Sequence, residues 1–131
     1  MAFEGPQGIK LTGIAAGADL STKQYYFVKL SANKTAVVCS GATDKPIGVL
    51  QNTPISGQAC EIVCVGVTKV SSDAGLTYGN LIGTSGAGQA DAKTPGTDTT
   101  EYVVGQVIVG TSNAAELATA VINCASPARA A

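Results

Sequence analysis

Side chains that commonly carry out catalysis are scarce in this sequence. The chain has no histidine, which is the most common general base and the side chain that ordinarily titrates near neutral pH. A serine nucleophile would therefore lack an imidazole to activate it. Ser31 and Lys34 have the spacing of a serine–lysine pair, but residues 25–39 predict a hairpin whose turn contains that lysine. We expect that the protein is not an enzyme.

The acidic side chains form no catalytic or metal-binding pattern of known spacing. Glu61 and Glu116 occupy corresponding places in an internal repeat and could face each other as a carboxylate pair, although acids on strands are more often solvated or paired with lysine. Asp91, Asp98 and Glu101 could meet at a cation site in a loop, but their spacing is not that of a calcium-binding loop. We predict no metal and no cofactor.

The four cysteines, Cys39, Cys60, Cys64 and Cys124, are interpreted as small buried apolar side chains. The alternatives are a disulfide that involves Cys39 or Cys124, and a metal site, for which a Cys-x3-Cys pair without histidine is a weak pattern. Cys60 and Cys64 cannot bond to each other if their segment is a strand. Four strand residues span about 13 Å, whereas a disulfide needs Cα atoms within about 7 Å.

Composition argues against several kinds of binding protein. The 131 residues carry a formal net charge of −1 and only 13% charged side chains, so the chain lacks the basic surplus that neutralises nucleic-acid phosphates. The glycine-rich segment 83–88 has neither the Gly-Lys-Ser/Thr ending of a phosphate-binding loop nor a predicted helix after it. We expect no nucleic-acid partner.

The two ends contain few apolar residues. Glu4 and Lys10 interrupt the apolar run that a secretory signal peptide requires, and no stretch approaches the roughly 18 apolar residues of a membrane helix. We therefore expect synthesis in a host cytoplasm and no membrane partner. Residues 1–8 are interpreted as an N-terminal arm and 124–131 as a C-terminal tail, on either side of one domain at 9–123.

Short β-branched and aliphatic runs between turns rich in glycine, asparagine and proline indicate an all-β domain. Eight candidate strands share this pattern: 9–13, 25–30, 35–39, 47–51, 59–70, 80–84, 102–109 and 116–122. Segment 59–70 is apolar on both faces, so it is either a central strand or a strand that another chain covers. The polar stretch 83–100 is expected to be a long loop or a short hairpin.

An internal repeat relates residues of about 24–70 to those of about 79–123. Each part has a strand with an aliphatic-Gly pair, Ile47-Gly48 or Val104-Gly105, and then a turn and a segment that begins Ala-x-Glu. The second such segment, at 114–121, also has good helix propensity. Because the first copy lies in a β context, we predict a strand for both. Two such halves predict a compact barrel or sandwich of about eight short strands.

The order and spacing of four short motifs resemble the capsid cement (head decoration) proteins of tailed bacteriophages. The motifs are Pro-Ile-Gly-Val at 46–49, Ala-x-Glu-Ile-x-x-x-Gly-Val at 59–67, Ala-Gly-Leu-x-x-Gly-Asn-Leu-Ile at 74–82 and Val-Val-Gly-Gln-Val at 103–107. The resemblance covers roughly residues 8–123 and does not include the cysteines. It implies a small β protein without catalytic residues that binds the outside of an assembled icosahedral shell, often as a trimer, and stabilises it.

The expected function is therefore that of a structural virion protein on the capsid exterior, whose partners are the major capsid protein and further copies of itself. We predict that the arm reaches onto a neighbouring subunit or the shell through five residues, with the aromatic one as an apolar anchor: Ala2, Phe3, Glu4, Pro6 and Gln7. The alternative is an adhesive or fibre-type module displayed on a virion or cell surface, against which the low aromatic content counts.

Overall fold

The computed structural model describes residue 2 and residues 8–131. All regular structure in these residues is β, which confirms the predicted fold class, and none of them belongs to a helix long and apolar enough to cross a membrane. The strands, in chain order, are β1 (Ile9–Leu11), β2 (Ala15–Ala16), β3 (Phe27–Ala32), β4 (Thr35–Val38), β5 (Gly48–Leu50), β6 (Ile62–Ser71), β7 (Leu81–Thr84), β8 (Ala90–Ala92), β9 (Tyr102–Val103), β10 (Gly105–Val109), β11 (Leu117–Asn123) and β12 (Ala128–Arg129).

All eight predicted strands are present, with two differences from the sequence-based prediction. The predicted strand 102–109 is divided at Val104 into β9 and β10. In addition, β2, β8 and β12 are short strands of two or three residues that the sequence pattern did not indicate. Strands of this length carry too few residues to show an alternating pattern.

One mixed sheet contains most of the strands. Its hydrogen-bonded order is β2-β4-β3-β5-β6-β11-β10-β7-β8, with β1 as a further partner of β6. Neighbours in this sheet are antiparallel, except that β2 and β4 are parallel. The order does not return to its starting strand, so the sheet is not closed into a barrel. Of the barrel and the sandwich that the sequence allowed, the structure is sandwich-like. β9 and β12 form a separate two-stranded sheet.

Strand order is the same on the two sides of the central β6–β11 pair. Next to each central strand lies a strand with the aliphatic-Gly pair, β5 or β10, and then the two strands of a hairpin, β3–β4 or β7–β8. A Cβ on Gly48 or Gly105 would lie 2.5 Å from a carbonyl oxygen of the adjacent central strand, that of Val63 or Val121. Both positions therefore require glycine for the same reason. The origin of the two parts as a repeat remains a prediction.

The hydrophobic core lies on both faces of the central strands. One cluster contains Phe27 and Val63, and the other contains Val28 and Ile62, because successive side chains of a strand point to opposite faces. Residues 62–64 of β6 are all buried. Segment 59–70 is thus a central strand at the end that contains residues 62–64. A central strand was one of the two alternatives that the sequence allowed.

The segment that competes as a helix is a strand. β11 begins at Leu117 and pairs with β6 along its whole length, which outweighs its local helix propensity. Its alternate residues are buried in the core: Ala118, Ala120 and Ile122. The polar stretch 83–100 opens with the short β7–β8 hairpin, which was one of the two alternatives for it.

The C-terminal residues are held by the domain itself. Ala128 and Arg129 pair with Val103 and Tyr102, and Ala130 is only 2% exposed. The segment interpreted as a tail therefore adds a strand to the fold, although its sequence has little apolar content.

Candidate interaction surfaces

The structure describes one of the five arm residues predicted at an interface. Ala2 is half-buried and lines a groove of about 510 Å³ whose walls include Tyr78 and Leu117. Tyr78 is 77% exposed and Leu117 is 40% exposed, so the groove presents large apolar side chains to solvent. The other four residues lie outside the described part of the chain, and their role stays a prediction: Phe3, Glu4, Pro6 and Gln7.

Several aliphatic side chains are exposed on the outward face around β11. Val121 pairs with Val67 on one side and with Gln106 on the other, and 43% of Val121 is exposed. Ile9, which pairs with Val65, is 60% exposed. Neighbouring exposed aliphatic side chains of this kind are typical of a surface that another protein covers.

A second surface combines an aromatic ring with two cations. The Lys45 ammonium and the Arg129 guanidinium lie 5.8 and 5.4 Å from the centroid of the Tyr102 ring, which is within the range of cation–π attraction. Arg129 Nε also donates a hydrogen bond to the Tyr102 hydroxyl oxygen at 3.4 Å. This bond lowers the pKa of Tyr102, because it stabilises the phenolate. Among the described residues, no carboxylate forms an ion pair with Lys45 or Arg129.

A groove of about 400 Å³ adjoins the first of these cations, Lys45, and we refer to it as the β3 groove. Lys45 lines it, and its apolar walls come from Leu30, Ile47 and Pro127. Leu30 is 49% exposed although it lies in a strand. The groove therefore offers an accessible apolar recess with a positive charge beside it.

Lys29 also lines the β3 groove, but its charge is compensated. Its ammonium lies 2.8 Å from the Asp44 carboxylate. Partial burial acts to raise the pKa of Asp44, but hydrogen bonds from Lys29 and from the N–H groups of Ser40 and Gly41 outweigh it, so that the pKa is lowered. The uncompensated charge at the groove therefore comes from Lys45 and its neighbour Arg129.

The two glutamates considered as a catalytic pair are far apart, which corrects that hypothesis. Glu61 precedes β6, and Glu116 precedes β11, whose first residue pairs with Ser71 at the opposite end of β6. The ten residues of β6 span about 30 Å at the rise of an extended strand. The Glu116 carboxylate instead accepts the N–H groups of Ser112 and Asn113, both at 2.8 Å.

Asp91 and Glu101 come together, but around a lysine. Lys93 is 3% exposed and donates to the Asp91 carboxylate at 3.2 Å, to the Thr84 carbonyl at 2.9 Å and to the Glu101 carboxylate. Asp98 accepts a backbone N–H of its own loop. The ammonium group occupies the position between the carboxylates. No group of three or more cysteine and acidic side chains in the described residues is arranged to hold a metal ion.

All four cysteines are free and buried, in agreement with their interpretation as small apolar side chains. Burial raises the pKa of Cys39 to about 12 and raises the pKa of Cys124 as well, because a thiolate is poorly solvated in the core. These thiols are therefore protonated at neutral pH and contribute to packing.

Comparison with known proteins bears on the fold. No protein-family model matches the chain, and no curated protein matches it. Among solved structures, the crystal structure of the head fiber gp8.5 N base of bacteriophage phi29 is similar, with a TM-score of 0.64 over 90% of this chain and 96% of that chain. The sequences are 14% identical. The two chains thus share a fold.

Proposed function

We propose that this protein is a structural virion protein that binds the outer surface of a tailed-phage capsid and stabilises the shell. The observation that carries the proposal is the fold shared with a phage head fiber base across nearly the whole of both chains. The resemblance of four sequence motifs to capsid cement proteins supports the same location. In this role the chain needs no catalytic residue, metal or cofactor, and it binds neither nucleic acid nor a membrane.

The proposed partners are the major capsid protein and further copies of this chain, assembled as a trimer. The apolar surface at Ile9 and Val121 supports self-association, because interface cores are depleted of charge and rich in apolar side chains. A capsid presents many identical sites. A trimer that engages several of them at once gains effective concentration without any new kind of contact.

A fibre-type module is the second candidate. The phi29 protein is described as a head fiber base. The same fold therefore occurs in a fibre component, and it also suits a separate cement protein. In this alternative, the chain would present a binding element on the particle and would contribute nothing to the strength of the shell.

Binding to phage heads tests these proposals. Heads of the phage that encodes this chain, prepared without it, are incubated with the purified protein and pelleted, and the temperature at which they release DNA is recorded. A cement protein binds to saturation in a fixed ratio to the capsid protein and raises the release temperature. Saturable binding with an unchanged release temperature favours the fibre-type module. Failure to bind heads at all contradicts both.

A further inference from the structure

Within the part of the chain that the structure describes, one edge of β3 is open where β5 ends. β5 pairs with β3 at Phe27 and Val28, and the Ile47 N–H donates to the Val28 carbonyl at 2.8 Å. Backbone groups along a strand alternate between its two edges, so the peptide groups of Leu30 point to the same edge as those of Val28. The pairing of β5 with β3 extends only to Gly48, and Pro46, two residues before it, has no N–H to donate.

From Leu30 onward, β3 pairs with no described strand other than β4. Residues 30–32 are exposed, and the β3 groove lies beside them, with Leu30, Ile47 and Pro127 among its walls. An open strand edge next to an apolar recess is the arrangement that recognises an extended segment by strand addition, in which main-chain hydrogen bonds give affinity and side-chain pockets give specificity.

The charges near the groove determine what kind of segment fits it. Lys45 lines the groove and Arg129 follows Pro127 by two residues, and both cations contact the Tyr102 ring. Within the described residues, neither has a carboxylate partner. Positive charge without a partner at a binding surface favours a ligand with carboxylates. Two cations are too few for nucleic acid, whose affinity grows with the number of phosphates neutralised.

We propose that the open edge of β3 and the β3 groove bind an extended acidic segment of the capsid protein. The segment adds as a strand at Leu30, inserts an apolar side chain over Ile47 and Pro127, and places a carboxylate between Lys45 and Arg129. The identity of the partner rests on the proposed function, whereas the chemistry of the segment, which is extended, acidic and partly apolar, rests on the groove itself.

Charge reversal with a matched control tests the electrostatic part. Lys45→Glu and Lys23→Glu make the same change in charge, and each removes a lysine that lies over a tyrosine ring, at 5.8 Å from Tyr102 and at 5.0 Å from Tyr26. Binding to the same heads is measured by co-sedimentation at low and high salt, after circular dichroism has established that both variants are folded. We expect at least tenfold weaker binding for Lys45→Glu at low salt, a smaller difference at high salt, and a change below twofold for Lys23→Glu.

A backbone variant tests strand addition. Leu30→Pro removes one N–H from the open edge rather than from the edge that faces β4, and Leu30→Ala is its control because it removes the same apolar side chain. Circular dichroism first establishes that both variants are folded. We expect Leu30→Pro to bind heads at least fivefold more weakly than Leu30→Ala.

The outcomes separate this proposal from the proposed function. If the unmodified protein binds heads and the Lys45 and Leu30 variants bind as tightly as their controls, the proposed function stands and the β3 groove is not the contact. If the unmodified protein does not bind heads, the proposed function fails. A peptide of alternating glutamate and leucine is then titrated into isotope-labelled protein, and unchanged amide signals at Leu30 and Lys45 overturn the groove as well.

Discussion

The Lys93 ammonium lies 3.2 Å from the Asp91 carboxylate, and the Lys93 side chain is completely buried. The same ammonium donates to the Thr84 carbonyl at 2.9 Å and to the Glu101 carboxylate. Lys93 therefore joins the β7–β8 hairpin to the turn before β9. Since residues 83–100 contain few large apolar side chains, this buried ion group holds together a part of the fold that has little hydrophobic core of its own.

Replacement of Lys93 by methionine should destabilise the protein strongly. The substitution keeps the side-chain length, but it leaves two carboxylates and the Thr84 carbonyl without their donor. We expect a loss of about 3 kcal/mol in the free energy of unfolding, measured by urea denaturation at pH 7. Lys10→Met is the control, because Lys10 is exposed, and should change the value by no more than about 0.5 kcal/mol. Equal stability of the two variants would contradict the role assigned to Lys93.

Alanine at Gly48 or at Gly105 should also destabilise the fold, because each new Cβ meets a carbonyl of the adjacent central strand. We expect a cost of about 2 kcal/mol at each site, measured by thermal unfolding. Gly86→Ala is the matched control, since a Cβ there meets nothing within 4 Å. A normal melting temperature for both Gly48→Ala and Gly105→Ala would show that the two halves of the sheet do not share the close approach described above.

The buried thiols should be unreactive in the native protein. With the pKa of Cys39 raised to about 12, only about one in ten thousand of the Cys39 thiols is a thiolate at pH 8, and the thiolate is the reactive form. Burial raises the pKa of the other three thiols as well. We expect native protein to show no fast reaction with a thiol reagent such as dithiobis-nitrobenzoate at pH 8. In guanidinium chloride, all four thiols should react at once. A fast phase in the native protein would contradict the burial of the four cysteines.

Deletion of residues 1–7 should weaken binding to heads and leave the domain folded. The arm is predicted to touch a neighbouring subunit or the shell, whereas the strands in the described part of the chain begin at Ile9. Co-sedimentation with heads measures the first effect and the melting temperature measures the second. Phe3→Ala should reproduce most of the loss if Phe3 is the apolar anchor, and Gln7→Ala should not. Unchanged occupancy of heads after the deletion would exclude the arm as a contact.

The strands could be predicted from the sequence where their apolar residues alternate or cluster between turn residues. β11 required more than local sequence, since its helix propensity is good and its pairing with β6 decides its conformation. The division of the predicted strand 102–109 could not be seen, because Val104 is as apolar as its neighbours. Val104 separates β9, which pairs with the distant β12, from β10, which belongs to the main sheet.

The candidate surfaces were harder to predict than the strands. Lys45, Tyr102 and Arg129 come from three separate segments of the chain, so no local motif brings them together before folding. The sequence indicated that Asp91, Asp98 and Glu101 could meet, but the burial of Lys93 between Asp91 and Glu101 depends on the β7–β8 hairpin. The open edge at Leu30 has a local signal, Pro46, whose meaning depends on the register between β3 and β5.

The most direct test is an image reconstruction of phage particles with and without this protein. We predict three-fold density on the outside of the shell that the present fold fits, present in the complete particles and absent from particles that lack the chain. The same shell exterior in both reconstructions would contradict a role on the capsid surface.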